Sequence, residues 1–120
     1  MRNSVSQTIT VSSFQTAESL GSGLLPVFST PALVALMENT AMQLIDTPEG
    51  KSSVGIMIQV KHLKASPVGA KITCTATLVA NEGRGYSFEL VATDESGDRV
   101  GEGTHERVLI DVEKFMSKVK

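Results

Sequence analysis

The sequence has few of the features that proteins use to bind nucleic acids. It contains no tryptophan, one tyrosine and four phenylalanines, and 13 acidic residues outnumber 11 basic ones, so the net charge is −2. The basic residues are scattered along the chain. Nucleic-acid-binding proteins carry a clustered basic face, and those that bind single strands add aromatic side chains for stacking. We therefore expect no nucleic-acid partner.

Cysteine and long hydrophobic runs are also scarce. Cys74 is the only cysteine, so the chain cannot form an internal disulfide, which is typical of proteins in a reducing compartment. Residues 1–13 alternate between polar and apolar types, unlike a signal peptide, and no run is long enough to cross a bilayer. We expect a cytoplasmic protein without a membrane partner, folded as one domain over residues 1–120.

Common catalytic and metal-binding motifs are missing as well. The sequence contains neither the Gly-x-Ser-x-Gly motif of many hydrolases nor the His-Glu-x-x-His motif of zinc proteases. Gly50-Lys51-Ser52 resembles the end of a phosphate-binding loop, but Ile45 occupies the position of that loop's first glycine. With one cysteine and two widely separated histidines, we expect no structural zinc site. We also expect no bound cofactor.

One long stretch predicts a buried helix, from Thr30 to Ile45. Proline suits the first helical position, because its φ angle is fixed and its missing N–H is not needed there, and the preceding Thr30 is typical of an N-cap. Residues 32–37 are all apolar, which indicates a helix buried in the core. The run Thr47-Pro48-Glu49-Gly50 ends the helix.

Glu38 is unusual in this helix because it falls within the apolar stripe. At about 100° per residue, its neighbours one and two turns away are Val34, Ala41, Met42 and Ile45. Burying a carboxylate without a partner is energetically costly. Glu38 is therefore a candidate functional residue.

Alternating polar and apolar residues predict five strands, which cover residues 7–11, 54–63, 70–80, 86–93 and 99–110. Residues 16–23 predict a short helical turn or loop, residues 24–28 a flap leading into the helix, and residues 111–118 a terminal helical turn. Because the connections are short, we expect the last four strands to form an antiparallel meander. A sheet wrapped around one helix gives an α+β fold in two layers.

His62 and Glu38 form a candidate catalytic pair. Alternation in strand 54–63 places His62 on the face that points toward the helix, together with Val54, Ile56, Ile58 and Val60. A histidine and a carboxylate that converge in a dry cleft can transfer protons near neutral pH. For single residues, the structural alternative is somewhat more common: Glu38 pairs with a basic group at a helix edge, and His62 is a satisfied strand-end histidine.

Thr30, His105 and Arg107 also have two interpretations. N-capping alone explains a threonine ahead of a proline, but a hydroxyl near a helix N-terminus can also act where backbone N–H groups favour developing negative charge. His105 and Arg107 share one face of the last strand with Gly101 and Gly103. Glycines there indicate a bulge or the close approach of another backbone. This face is either solvated or part of a binding site.

Three groups of motifs are characteristic of one family. They are Val27-Phe28-Ser29-Thr30-Pro31 with Leu36-Met37-Glu38, Gly55 with Val60-Lys61-His62, and Gly101-Glu102-Gly103-Thr104-His105-Glu106-Arg107 with Glu113-Lys114-Phe115. Together they resemble the fluoroacetyl-CoA thioesterase-like branch of the hotdog-fold thioesterases, from residue 24 to the C-terminus. The eight-residue spacing from Thr30 to Glu38 and the Gly-Thr-His-Glu-Arg run are the most specific of them.

The resemblance implies a hotdog fold, in which an antiparallel sheet wraps around one long central helix, and an acyl-CoA thioesterase. In the family a threonine, a glutamate and a histidine form the catalytic set, which corresponds here to Thr30, Glu38 and His62. A glycine matching Gly55 lies close to the thioester, and an arginine matching Arg107 helps to shape the site. The resemblance further implies a homodimer or a dimer of dimers with active sites at the subunit interface. CoA enters only as part of the substrate.

The stretch ahead of Thr30 departs from the fluoroacetyl-specific members, which line the pocket and lid with several phenylalanines. Here residues 24–28 contain one, Phe28, which we expect to bind substrate. We therefore expect hydrolysis of a short- or medium-chain acyl-CoA to the free acid and CoA. Two other functions fit the same residues: a hotdog dehydratase or hydratase acting on an acyl thioester, and a non-catalytic acyl-CoA-binding protein.

Overall fold

An antiparallel five-stranded sheet packs against one long helix. The computed structural model describes residues 3–119; residues 1, 2 and 120 of the predicted domain lie outside the described part. The strands are β1 (Ser4–Thr10), β2 (Lys51–His62), β3 (Lys71–Glu82), β4 (Gly85–Thr93) and β5 (Arg99–Asp111), and the helices are α1 (Ala17–Leu20), α2 (Thr30–Met42) and α3 (Val112–Ser117). The strand order is β1-β3-β4-β5-β2. The predicted α+β fold is thereby confirmed.

Helix α2 packs on the sheet because its apolar side chains recur every three to four residues. Leu33 and Met37, one turn apart, are fully buried, and they share one core with the sheet residues Ile72, Cys74, Ala76, Phe88, Leu90, Ala92 and Val100. Burying each large apolar side chain stabilises the fold by about 1.5–3 kcal/mol. A Cβ on Gly101 would lie 2.7 Å from Leu33 Cδ2. Gly101 therefore makes room for a helix side chain, and the predicted close approach of another backbone is found there too, since the same Cβ would lie 3.2 Å from the Lys61 carbonyl oxygen.

Strand β2 lies at the edge of the sheet beside β5, and not beside β3 as a simple meander would require. It pairs with β5 from Lys51 to His62, while β1 occupies the edge of β3 that a meander would leave free for β2. The predicted meander is therefore right for β3, β4 and β5 and wrong for β2. After β2, the N–H groups of Leu63 and Lys64 both donate to the Val100 carbonyl, which ties the crossing segment to the sheet.

A β-bulge in β2 changes which side chains face the helix. The register with β5 shifts just after Gly55, so Ile56 has no partner across the ladder and is 60% exposed. The predicted alternation holds from Ile58 to His62, but before the bulge the phase is reversed, and Gly55 faces the helix instead of Val54. A strict two-residue period cannot reveal an extra residue in a strand.

The element ends differ by a few residues from the predicted bounds. Helix α2 ends at Met42, because the N–H groups from residue 43 to 45 bond to carbonyls three residues back, which tightens the last turn. The first strand begins at Ser4, three residues before its predicted start. Asp111 caps α3 by accepting from the Lys114 N–H at 3.0 Å, where a terminal helical turn is predicted. Within residues 3–119, no helix has the length and apolar character needed to span a membrane.

Candidate active site

The start of α2 leaves the Thr30 hydroxyl free for another contact. Ser29 is the N-cap residue, and its Oγ accepts a hydrogen bond from the Ala32 N–H at 3.1 Å. The predicted N-cap role of Thr30 is therefore wrong by one position, and Pro31 is the second helical residue. Serine and threonine both cap through a side-chain oxygen, so their order in the sequence does not decide which of them takes the role.

His62, the last residue of β2, is the partner of this hydroxyl. Thr30 Oγ1 lies 2.9 Å from His62 Nδ1, and the ring packs edge-on against Phe28 with 6.3 Å between ring centroids. Burial lowers the pKa of His62, and the Lys64 backbone opposes this shift in part. The imidazole is therefore neutral at pH 7. With the ring hydrogen assigned to Nε2, Nδ1 accepts the hydrogen bond from Thr30.

A cavity of about 320 Å³ opens beside the Thr30–His62 pair. It lies between the end of β2 and the flap that joins α1 to α2. The flap is closed at its base by the Ala17 N–H, which donates to the Val27 carbonyl at 2.9 Å. Leu24 and Leu25 in the flap are 91% and 64% exposed, but neither lines the cavity, to which the flap contributes Val27 and Phe28.

Phe28, predicted to bind substrate, forms part of the wall of this cavity. Its side chain is only 1% exposed, and its clearest role in the single chain is to support the His62 ring. Contact between Phe28 and substrate stays a prediction. The exposed flap leucines could not be distinguished from Phe28 by sequence, because all of them belong to one apolar run.

Glu38 lies on the flank of α2 that faces the edge strand β2. Its side chain is 39% exposed, so the predicted burial in an apolar stripe is wrong for the single chain. The physical reason is that β2 is the last strand of the sheet and leaves this flank uncovered; Met42, one turn further along, is 43% exposed. Gly55 is the residue of β2 that faces Glu38, since a Cβ there would lie 2.9 Å from Glu38 Oε2.

Arg107 supplies a positive charge beside Glu38. Its Nη1 lies 4.0 Å from Glu38 Oε2, while Nε donates to Ser53 Oγ and Nη2 donates to the Ser53 carbonyl, both at 2.9 Å. Burial lowers the pKa of Arg107, and the Glu38 carboxylate opposes this shift. His105, on the same face of β5, is also buried. Ser53 could not be found from the sequence, because its position depends on the bulge that sets the register of β2.

The predicted catalytic residues form two groups in the single chain, and His62 does not meet Glu38. Thr30 and Glu38 are eight residues apart on α2, which corresponds to about 12 Å along the helix axis. Gly55, beside Glu38, is seven residues from His62 on β2, or about 23 Å along an extended strand. The predicted convergence of His62 and Glu38 in one cleft is therefore wrong within one chain.

The two groups provide complementary chemistry. One offers a hydroxyl bound to a neutral imidazole, and the other a carboxylate beside a buried arginine. Such groups supply a nucleophile, a proton acceptor and charge stabilisation for acyl transfer. Among residues 3–119, no cluster of three or more His, Cys, Asp or Glu side chains is placed to hold a metal ion.

Sequence comparison relates the chain to one family. The family model described as the fluoroacetyl-CoA-specific thioesterase, FlK, matches residues 11–113. A fluoroacetyl-CoA thioesterase from Streptantibioticus cattleyicolor is 41% identical over 96 residues, which cover 78% of this chain and 68% of that protein.

Solved structures agree with this relationship. A variant of FlK in complex with acetyl-CoA superimposes with a TM-score of 0.92 at 33% identity, covering 99% of this chain and 96% of the other. A hot-dog-like protein from Thermanaerovibrio acidaminovorans gives a TM-score of 0.86 at 28% identity, over 97% of this chain and 87% of the other. The predicted hotdog fold is confirmed by these neighbours.

Proposed function

The chain belongs to the fluoroacetyl-CoA-specific thioesterase family, and we propose that it hydrolyses a short- or medium-chain acyl-CoA to the free acid and CoA. The observation that carries the proposal is the 2.9 Å hydrogen bond between Thr30 Oγ1 and His62 Nδ1. Because Ser29 caps the helix, the Thr30 hydroxyl is not needed there and is free to take part in a reaction.

In the proposed reaction an oxygen nucleophile attacks the thioester carbonyl carbon and the C–S bond breaks. Where the nucleophile is the Thr30 hydroxyl or a water molecule, His62 Nδ1 accepts its proton and returns it to the CoA sulfur as the C–S bond breaks. Two routes fit the residues. In the first, Thr30 Oγ1 or Glu38 attacks and forms an acyl-enzyme, which one water molecule then hydrolyses; with Glu38 as nucleophile, the CoA thiolate takes its proton from that water. In the second, Glu38 activates the water for direct attack, so one water molecule is consumed for each acid and CoA formed on either route. The N-terminus of α2 lies beside the pair and favours negative charge on the carbonyl oxygen.

The apolar flap supports an aliphatic acyl group. Val27 and Phe28 of the flap line the cavity, Leu24 and Leu25 of the same flap are exposed, and the flap has one phenylalanine where fluoroacetyl-specific members have several. We therefore propose a wider range of acyl groups than fluoroacetyl. We further propose that CoA enters only with the substrate and that the protein is cytoplasmic, since the free thiol of Cys74 suits a reducing compartment.

We also propose that the active protein is a homodimer formed through the free edge of β2. The 12-residue strand β2 ends the sheet, so one of its edges has no strand partner among residues 3–119. Residues 52–60 carry no charged side chain, whereas edges that avoid association usually carry charges or proline. Ile56 adds an exposed apolar side chain at the bulge.

Antiparallel pairing of β2 with a second copy would join the two halves of the site. A two-fold axis brings the Gly55 end of one strand beside the His62 end of the other, and neighbouring strands are about 4.8 Å apart. Glu38 of one protomer would then face His62 of the partner subunit. This arrangement overcomes the separation within one chain, where Gly55, beside Glu38, is about 23 Å from His62 along β2.

Release of CoA from acyl-CoAs of increasing chain length tests the activity. We expect Thr30→Val, Glu38→Gln and His62→Gln each to lower kcat on the order of 10²–10⁴-fold, because each removes a reacting group. Glu49→Gln, which neutralises an exposed loop carboxylate, is the matched control and should keep wild-type turnover. Wild-type rates of CoA release in both Glu38→Gln and His62→Gln would contradict the proposed activity. Hydration of an enoyl-CoA, or thermal stabilisation by acyl-CoA without CoA release, would favour the two other functions.

Mixed dimers test whether the site spans two chains. When Glu38→Gln and His62→Gln protomers are combined, each heterodimer has one site with both substitutions and one with neither, if the site is shared. Equal mixing should then restore about a quarter of wild-type activity, since half of the dimers are mixed and half of their sites are intact. No restoration, with heterodimers demonstrated by mass spectrometry, would show that each site lies within one protomer.

A further inference from the structure

The Arg107 guanidinium is held by neighbours other than the carboxylate that it faces. Arg107 is 7% exposed, and it makes two bonds of 2.9 Å with Ser53 and a third, from Nη1 to His105 Nε2, at 3.2 Å. Nη1 is 4.0 Å from Glu38 Oε2, which is longer than the 2.7–2.9 Å typical of a charge-assisted hydrogen bond. The arginine therefore lies beside Glu38 without binding it directly.

His105 is held in the tautomer that can accept a hydrogen bond from Arg107. Its Nδ1 lies 2.8 Å from the Met57 carbonyl, and since a carbonyl only accepts, Nδ1 must carry the ring hydrogen. Nε2 of the neutral ring then has the lone pair that receives the Arg107 N–H. The ring is 1% exposed and stacks on Phe88 with 6.1 Å between centroids, so its orientation is fixed by packing as well.

The charges around this contact favour the neutral ring. Burial lowers the pKa of His105, and the positive charge of Arg107 acts in the same direction, whereas the Met57 carbonyl, Glu38 and Glu106 oppose the shift. A protonated ring would offer Arg107 a second donor in place of an acceptor, and the contact would be lost.

The bulge in β2 is part of the same arrangement. The register shift follows Gly55, so the strand segment that carries the Met57 carbonyl comes immediately after the residue facing Glu38. β-Bulges often re-aim groups beside active sites. Here Gly55, which lacks a Cβ, leaves space for the Glu38 carboxylate. Met57, just past the bulge, supplies the carbonyl that orients His105.

We propose that His105 and Ser53 are positioning residues that hold the Arg107 guanidinium away from Glu38. The inference rests on the proposed function in one respect, namely that Glu38 takes part in the reaction. An arginine free to turn would bind the carboxylate through two parallel hydrogen bonds. Both oxygens would then be occupied, and Glu38 would be a weaker nucleophile or base. Held as it is, Arg107 provides positive charge beside the site and leaves the carboxylate oxygens accessible.

Two substitutions of His105 separate positioning from packing. Leucine removes the acceptor, whereas the side-chain amide of glutamine has both an acceptor for Arg107 and a donor for the Met57 carbonyl. We expect His105→Leu to lower kcat on the order of 10–100-fold with little change in KM, because Glu38 is captured in the ground state. His105→Gln should recover most of that loss. Ser53→Ala should give a smaller loss of kcat, and Ser52→Ala, its neighbour on the opposite face of β2, should give none.

Two readouts do not depend on activity. Nitrogen-15 NMR of the wild-type imidazole should show neutral His105 protonated on Nδ1 at pH 7. A crystal structure of His105→Leu should show the Arg107–Glu38 separation contracting from 4.0 Å to about 2.8 Å. Protonation on Nε2, or equal losses of kcat in His105→Leu and His105→Gln without movement of Arg107, would overturn the proposal. If wild type released no CoA from any acyl-CoA, the proposed function would fail, while these two readouts would still decide the geometry.

Discussion

Replacing Gly55 with alanine tests how closely β2 approaches the carboxylate of Glu38. The added Cβ would lie 2.9 Å from Glu38 Oε2, 3.0 Å from His105 Cε1 and 3.4 Å from Arg107 Nη1. The first distance is about 0.5 Å shorter than an ordinary contact, so the carboxylate has to move by roughly that amount. Displacing a reacting group by about 1 Å can cost about 10²-fold in rate. We therefore expect kcat to fall by about 10-fold or more.

The same substitution should lower stability modestly, because the end of the half-exposed Glu38 side chain can move, whereas the buried His105 ring, 3.0 Å from the added Cβ, can move only slightly. The gain from restricting the unfolded chain, about 0.4–1 kcal/mol for glycine to alanine, offsets part of any strain. Gly85→Ala is the matched control in β4, where the nearest atom would be at 3.4 Å. The assay is CoA release together with urea unfolding of both variants. Wild-type kcat in Gly55→Ala, combined with a large loss in Glu38→Gln, would refute this account of the contact.

Two further predictions concern the helix start and pH. Ser29→Ala should lower the free energy of unfolding by about 1 kcal/mol, the usual cost of losing an N-cap, whereas Thr30→Val should leave it nearly unchanged and lose activity. Equal destabilisation of the two variants in urea would contradict the assignment of Ser29 as the cap. Because burial lowers the pKa of both His62 and His105 below the usual 6.5, the unfolded chain takes up their protons at higher pH than the folded one. The contribution of the two neutral histidines to the free energy of unfolding is therefore fully present above pH 6.5 and is lost as the pH decreases below it. Urea unfolding at pH 7.5 and 5.5 should show this loss, and the loss should be smaller in His105→Gln. A wild-type protein that is more stable at pH 5.5 than at pH 7.5 would contradict it.

Features set by local periodicity were predictable from the sequence. The apolar run in α2 correctly indicates a core helix, and the alternation from Ile58 onward correctly turns His62 toward the helix. Gly101 was expected at a bulge or a close approach of another backbone, and a Cβ there would lie 3.2 Å from the Lys61 carbonyl oxygen. For α2 and β2 the relevant neighbours lie within a few residues of one another on a regular element, so the period of the element determines their direction.

Features set by pairing between distant segments were not predictable. The bulge after Gly55 leaves no mark in the local sequence pattern. It nevertheless exchanges the two faces of β2 ahead of the bulge, so that Ser53 lies beside Arg107. The choice of β5 over β3 as the partner of β2 depends on β1 occupying the other edge. Ser29 and Thr30 are both residue types that cap helices, and only the hydrogen bonds at the start of the folded helix show which of them is the cap.

The exposure of Glu38 and the uncharged edge of β2 have a common explanation in the proposed dimer. A long edge strand without charges in its middle is unfavourable in an isolated protomer, whereas the half-exposed Glu38 carboxylate is solvated there but has no His62 partner within its own chain. Both lie on the same side of the molecule, because β2 is the strand that leaves this flank of α2 uncovered. A second copy would cover the edge and bring its own Thr30–His62 pair toward the carboxylate. The mixed-dimer experiment therefore tests whether the two halves of the site come from different protomers, and a protein that is active as a monomer would leave both features unexplained.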